Sequence, residues 1–377
     1  MVVLLINEFF IFKADNFRHG LVRTFGICMN TLRICLLGLF SCLTLLACGG
    51  GSGSTNVADA SGVITVRNSV ELTNALAAVT SGQTIQLAAG TYAGNFRIAN
   101  KNGTEASPIY IKGTNAVLSS PSISTGYGLQ LDGVSYVVID GIEIVGSQKG
   151  LVVDASSHCT LQKLTISGSG MEGVHFRKSS SFNILQDSRI HSTGLYDAAN
   201  GEGVYLGSAY SNWSKYMANA DTPDASNDNL ILRNFIGPKV SAEAVDVKEG
   251  TKRNRIELNY LNSTGTSAVD STVDIKGDST LIIDNTLVHT PTLVANFIVD
   301  GMQSHAITVA GIIYGQGNLF SGNSIDVNTT FGTADFITLP ATGYAIKMFG
   351  GATGTVCTSN QAQHGVTLTN VSTVVCP

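Results

Sequence analysis

Gly173-Val-His-Phe-Arg177, Gly203-Val-Tyr-Leu-Gly207, Ala244-Val-Asp-Val-Lys248 and Thr272-Val-Asp-Ile-Lys276 are versions of one pattern, a small residue followed by alternating apolar and variable positions. Gly128-Leu-Gln-Leu-Asp132 and Gly150-Leu-Val-Val-Asp154 extend it upstream. Such alternation is the mark of a strand with one face in a core. The first apolar residues are Leu129, Leu151, Val174, Val204, Val245 and Val273, separated by steps of 22, 23, 30, 41 and 28. A base period close to the first step, with several short strands per turn, predicts a parallel β-helix. The fixed consensus of a leucine-rich repeat is absent, and propeller blades need a longer and more regular period. The expected fold is all-β, a single right-handed parallel β-helix.

Outward from these segments, a second strand type recurs, rich in Asn and aliphatic residues. Asn229-Leu-Ile-Leu-Arg-Asn234, Asn254-Arg-Ile-Glu-Leu-Asn259 and Leu281-Ile-Ile-Asp-Asn285 are examples. Asn tolerates left-handed backbone and hydrogen-bonds locally, so these residues are expected in tight turns, with stacked side-chain ladders as a further option. Near the start of the domain, Val70, Leu72, Leu76 and Val79 recur at helical spacing behind Ser69, which can cap. A short helix there would cover the open apolar end of the first coil.

Charged residues make up only 13% of the chain, Gly numbers 41 and Pro 7, which suits a turn-rich β protein. No basic run or nucleic-acid motif occurs, so nucleic acid is not an expected partner. Met29 to Arg33 gives a short basic start and Ile34 to Ala47 an apolar stretch. The stretch ends in Leu45-Leu-Ala-Cys48, which resembles a bacterial lipobox. That resemblance implies cleavage before Cys48, a lipid on its sulfur, and anchoring in the cell envelope at the outer membrane or cell surface; the chain is separately expected to be a monomer. Residues 1–47 then comprise an over-extended start and the signal, 48–61 a flexible Gly/Ser linker, and 62–377 the β-helix. Losing residues 1–47 removes four basic and two acidic residues, taking the net charge from −5 to −7. An acidic substrate would therefore need a local basic patch or a bound cation. Cys159 reads as core, whereas Cys357 and Cys376 are free to pair or not in an exported protein.

Stacking the segments aligns their variable positions into outward columns. One reads Gln130, Val152, His175, Tyr205, Asp246, Asp274; the next reads Asp132, Asp154, Arg177, Gly207, Lys248, Lys276. Glu172, Glu202 and Glu243 also align, each two residues before its Val. The columns become ionisable where the steps lengthen, around residues 194–201 and from 208 past 220, and loops of solenoids carry function. Carboxylates beside amines suit β-elimination on a uronic-acid polymer, in which the uronate charge is neutralised, a base takes the C5 proton and an acid assists the leaving oxygen. The candidate catalytic residues are Lys248, Lys276 and Arg177, with Lys248 as base and Lys276 or Arg177 neutralising the uronate. Glu202, Glu243 and Asp246 are candidate ligands for Ca²⁺, a hard ion that takes oxygen donors. His175, Tyr205, Trp213 and Asp274 are candidate substrate contacts, Tyr205 being able to serve as acid and Trp213 able either to stack on a sugar or to pin its loop.

Ser241-Ala-Glu243-Ala-Val-Asp-Val-Lys248 followed by Asn254-Arg-Ile-Glu-Leu-Asn259 resembles a motif of the chondroitinase B/alginate lyase family of β-helix polysaccharide lyases. The resemblance implies Ca²⁺-assisted elimination on an acidic polysaccharide, with Glu243 a calcium ligand and Lys248 the base. Where the family carries an Arg in the following coil, this chain has Lys276. Two other readings of the columns stand beside it: a lipoprotein that binds glycan without cleaving it, and a glycoside hydrolase using Asp246 with Asp274 or Glu243. The motifs of β-helix pectin hydrolases are missing.

Overall fold

The computed structural model describes residues 58–289, 300–327 and 343–377, and the statements below concern these residues. The proposed lipobox, Cys48 and the signal segment lie outside them.

The six aligned segments are adjacent parallel strands in the expected register. Leu129 pairs with Leu151, Leu151 with Val174, Val174 with Val204, Val204 with Val245 and Val245 with Val273. They belong to a ten-stranded parallel sheet that also takes in Phe96–Ala99 before them and Asp300–His305, Tyr344–Phe349 and Thr367–Thr369 after them. A central coil adds two further strands: Val174–Arg177 is followed by Ile184–Gln186 and Arg189–His191, each paired in parallel with its equivalent in the next coil. The inward residues Val174, Phe176, Val204, Leu206, Val245, Val247, Val273 and Ile275 form one continuous apolar core. The small residue at the head of each segment has a steric cause. A Cβ on Gly173 would lie 2.5 Å from Ile190 and 2.7 Å from the Gly203 carbonyl, and Gly203 is equally confined.

The Asn residues do not sit in the left-handed turns. Those positive-φ sites are held by the residues immediately before them, Phe182, Asp228, Arg233, Arg253, Leu258 and Asp284. The Asn side chains point inward and form ladders. Asn259 accepts from the backbone and side-chain N–H groups of Asn234 and donates to the Ile231 carbonyl and to Asn285, whose side chain repeats the arrangement with Asn323. Each rung satisfies backbone groups that the turn would otherwise bury unpaired. The helix spans Ser69–Ala78, but Asn68 is its cap, accepting from the Glu71 amide while Glu71 accepts from the Arg67 amide. Leu72, Ala75 and Leu76 cover the first coil, whereas Val70 faces solvent.

Cys357 and Cys376 are bonded, and Cys159 is buried in the core with its thiol pushed up to about 12 by burial. Loop closure of this length is worth roughly 3 kcal/mol in the chain-entropy view, so the bond secures the last coil. Removing one Asn rung should be costly. Asn259→Ala leaves the buried Asn234 amide without its acceptor, and a loss of about 1–3 kcal/mol is expected in urea melts, with the far-UV spectrum unchanged.

Candidate functional site

The outward columns are not a solvated surface. His175, Tyr205, Asp246, Asp274, Glu202 and Glu243 are all buried, and Lys248 and Lys276 keep only about a seventh of their side chains exposed. The cover comes from the two long insertions. The second is bolted to the scaffold by Asp224, which accepts from the Lys178 and Ser179 amides and from the Ser208 and Ser226 hydroxyls. Trp213 is the other bolt. Its ring is buried, its N–H donates to the Ser208 carbonyl at 2.9 Å, and Tyr314 from a later antiparallel hairpin meets it edge-on. The ring pins the loop and offers no open face to a sugar, which withdraws it as a substrate contact.

Arg177 is likewise committed elsewhere. Its guanidinium pairs with Asp154 at 2.5 Å, donates to the Tyr127 hydroxyl and packs against the Tyr216 ring. Its Nη1 has no hydrogen-bond partner, but the group is buried between two rings and ion-paired to Asp154, so it presents no exposed face to a substrate.

Lys248 and Lys276 share a carboxylate network. Lys248 Nζ lies 2.5 Å from Asp246, Lys276 Nζ lies 3.7 Å from the other Asp246 oxygen, and Lys276 also pairs with Asp274. Burial alone would depress the Lys248 amine, but Asp246 and Glu243 outweigh it and hold the pKa above the ordinary lysine value. Burial is also outweighed at Lys276, by Asp246 and then Asp274. Both are therefore ammonium ions at neutral pH, and Lys248 is not a resting-state base. At Lys276 the repulsion from the Lys248 amine is a smaller effect than the attraction of either Asp246 or Asp274.

Next along the row, Lys149 pairs with Glu172, and both face His175 Nδ1, at 3.4 Å and 3.2 Å. His175 Nε2–H donates to the Gly207 carbonyl at 2.9 Å, which leaves Nδ1 as the basic nitrogen. Burial and then the Lys149 charge lower the His175 pKa, so the ring is neutral. Burial would raise Glu172, but the Lys149 ammonium paired with it holds it below the ordinary carboxyl value. Tyr205 meets the His175 ring edge-on and stays protonated, since burial and then Asp246 push its pKa well up. His175, Tyr205, Lys149 and Glu172 line a cavity of about 260 Å³, walled on the far side by Asn212, Lys215 and Tyr216 of the second insertion. Lys149 and the Tyr127–Tyr216 pair were not singled out from sequence. Lys149 occupies the same register as Glu172, one coil earlier, and extending the glutamate row by one step would have found it.

Glu202, Glu243 and Asp246 bring one oxygen each within 4.8 Å of one another. Burial, then the neighbouring carboxylates, pushes Glu202 well up and Glu243 to about 8. One oxygen of Glu202 has no hydrogen-bond donor, whereas the Asp246 carboxylate faces the Lys248 and Lys276 amines. From Lys149 to Lys276 the row carries three amines against the carboxylates of Glu172, Glu202, Glu243, Asp246 and Asp274. The excess of two negative charges is balanced by two protons or by one divalent cation, so the residues fit such an ion. Without metal, a raised carboxyl stabilises the fold below its unfolded pKa, and that contribution is lost as pH rises through the folded value. In chelator, stability in urea melts should thus fall from about pH 4.5 toward pH 8, and Glu243→Gln should flatten the fall.

No curated protein matches this chain in sequence. Residues 57–216 match a family described as a right-handed β-helix region. Among solved structures, an alginate lyase from Paenibacillus sp. str. FPU-7 is 33% identical with a TM-score of 0.70, the alignment covering 82% of this chain and 98% of that one. ORF18 of Geobacillus virus E2 (12% identity, TM-score 0.51, 78% and 58% covered) and tailspike protein 2 of the Escherichia coli O157:H7 bacteriophage CAB120 (12%, 0.52, 80% and 38%) share the fold alone. By its coils, their register and its similarity to the Paenibacillus enzyme over most of both chains, the chain belongs to the right-handed parallel β-helix polysaccharide lyases.

Proposed function

We propose that the protein cleaves a uronic-acid-containing polysaccharide, alginate being the first candidate, by β-elimination at the cavity beside Tyr205. The observation that carries this reading is the edge-on meeting of a neutral histidine and a protonated tyrosine in one cavity, with the Lys248 ammonium 5.0 Å from the Tyr205 ring. Elimination needs the uronate carboxylate neutralised before the C5 proton becomes acidic enough to leave. Lys248, whose amine lies 5.0 Å from the Tyr205 ring, is the cation for that task, and Lys276, three coils from His175, acts behind it through the shared Asp246. The proton acceptor must be neutral at working pH, and His175 meets this through Nδ1. Tyr205, still carrying its proton, donates to the departing glycosidic oxygen. Lys248 thereby moves from base to electrostatic catalyst.

Glu202, Glu243 and Asp246 would hold Ca²⁺, whose all-oxygen preference they match. Bound there, the ion would supply the two positive charges that the row lacks. A lipid on Cys48 would keep the activity at the cell envelope.

Elimination leaves an unsaturated uronate, so absorbance near 235 nm on a panel of uronate polymers decides the reading; a flat trace across the panel leaves a glycan-binding lipoprotein. On the substrate that responds, His175→Ala should lower kcat by about 10²–10⁴-fold. Lys248→Ala should lose about 10²-fold or more, while Lys248→Arg, which keeps the charge, should retain much of the rate. A base at Lys248 would make those two variants equally inactive. Ca²⁺ should raise the melting temperature at pH 7, and Glu202→Gln with Asp246→Asn should abolish the rise.

A further inference from the structure

We propose that Lys215, on the second insertion, takes the carboxylate of a uronate unit neighbouring the one that is cleaved, so that the protein selects runs of consecutive uronates. This rests on the lyase reading and adds to it the source of selectivity. The other amines near the site are poorly placed to hold the rest of an acidic chain. Lys248 and Lys276 pair with Asp246 and Asp274, and Lys149 is buried against Glu172. Each answers a carboxylate of the protein before it answers one of the substrate. The chain as a whole, at a net charge of −5, offers a polyanion no general attraction. Lys215 differs on each count. It lines the cavity, as Lys149 does, yet has no carboxylate partner among the described residues. It is also exposed, so its amine stands where the cavity meets solvent, 5.0 Å from the centre of the Tyr216 ring.

The segment that carries Lys215 is two-faced. Tyr210–Asn212 and Trp213–Tyr216 form consecutive helical turns. Asn212, Lys215 and Tyr216 stand at i, i+3 and i+4, the spacing that puts side chains on one face, and all three line the cavity. Trp213, between them, turns away into the packing, where its N–H is bonded to the Ser208 carbonyl and its ring meets Tyr314. The Tyr210 amide donates to the buried Glu249 carboxylate at 2.6 Å, which secures the start of the segment. The backbone beneath Lys215 is thus set before substrate arrives, and binding has little more than one lysine side chain to order there. Asn212 adds an amide and Tyr216 a flat ring to the same face, a combination suited to a sugar. A charge held in this way acts on binding and not on the bond that breaks.

The test is steady-state kinetics of the full chain on the polymer that responds, followed by absorbance near 235 nm. Lys215→Gln should raise KM about two- to fivefold, the scale of one solvent-accessible ion pair, with kcat and the melting temperature unchanged. Lys215→Arg, which keeps the charge, should hold the ordinary KM. The rise of KM with ionic strength should be flatter in Lys215→Gln than in the unaltered protein. An unchanged KM in Lys215→Gln, or a fall in kcat larger than the rise in KM, would overturn the assignment while leaving the lyase reading intact. If no polymer is cleaved, the lyase reading fails by itself, and calorimetric titration with a short uronate oligosaccharide decides the role of Lys215. The control is Lys163→Gln, at an exposed lysine outside the cavity. Weaker binding by Lys215→Gln than by Lys163→Gln supports the assignment, and equal affinities, or no binding, overturn it.

Discussion

Parallel strands stacked in register at about 4.8 Å place like positions of successive coils in contact, and everything else in this protein follows from that constraint. Inside, it turns the two inward apolar residues of each strand into continuous columns. At the corners, it makes each Asn the donor to one neighbour and the acceptor for another. Outside, it crowds ionisable residues together at distances no isolated strand could impose. The ladder has no tolerance for an odd member, which is why the charged row must settle its balance by protons, ions or substrate.

The same constraint explains why the chemistry is confined to a few coils. A carboxylate or amine added to the row is felt by both neighbours, so charge accumulates only where something covers the row and something else compensates it. The insertions provide the cover, anchored through Asp224, Trp213 and the Tyr127–Arg177–Tyr216 stack. The alternation of amines with carboxylates from Lys149 to Lys276 provides most of the compensation.

Much of the scaffold was legible in the sequence because register is a one-dimensional property. The near-constant spacing of Leu129, Leu151 and Val174, and the repeated small residue before them, specify which strand lies on which. The row of Glu172, Glu202 and Glu243 could be read in the same way. Burial could not, since nothing in the segments themselves says that a loop from a distant position folds back over them. For that reason Arg177 was read as a substrate contact, and Trp213 was left between stacking on a sugar and pinning its loop, whereas both hold the cover in place. The left-handed turn residues were also misassigned, because an Asn that forms a ladder and an Asn that forms a turn have the same neighbours in sequence. The protonation of Lys248 depended on distances to Asp246 and Glu243, which register alone does not fix.

The buried, hydrogen-bonded indole of Trp213 is the chain's only tryptophan. All indole fluorescence therefore originates from the insertion and none from the β-helix. The protein carries an optical probe of its cover that is spectroscopically separate from the backbone signal of its coils. Release of the insertion would shift the emission to the red while circular dichroism stayed constant, so opening of the site and unfolding of the solenoid are distinguishable events in a single unlabelled sample.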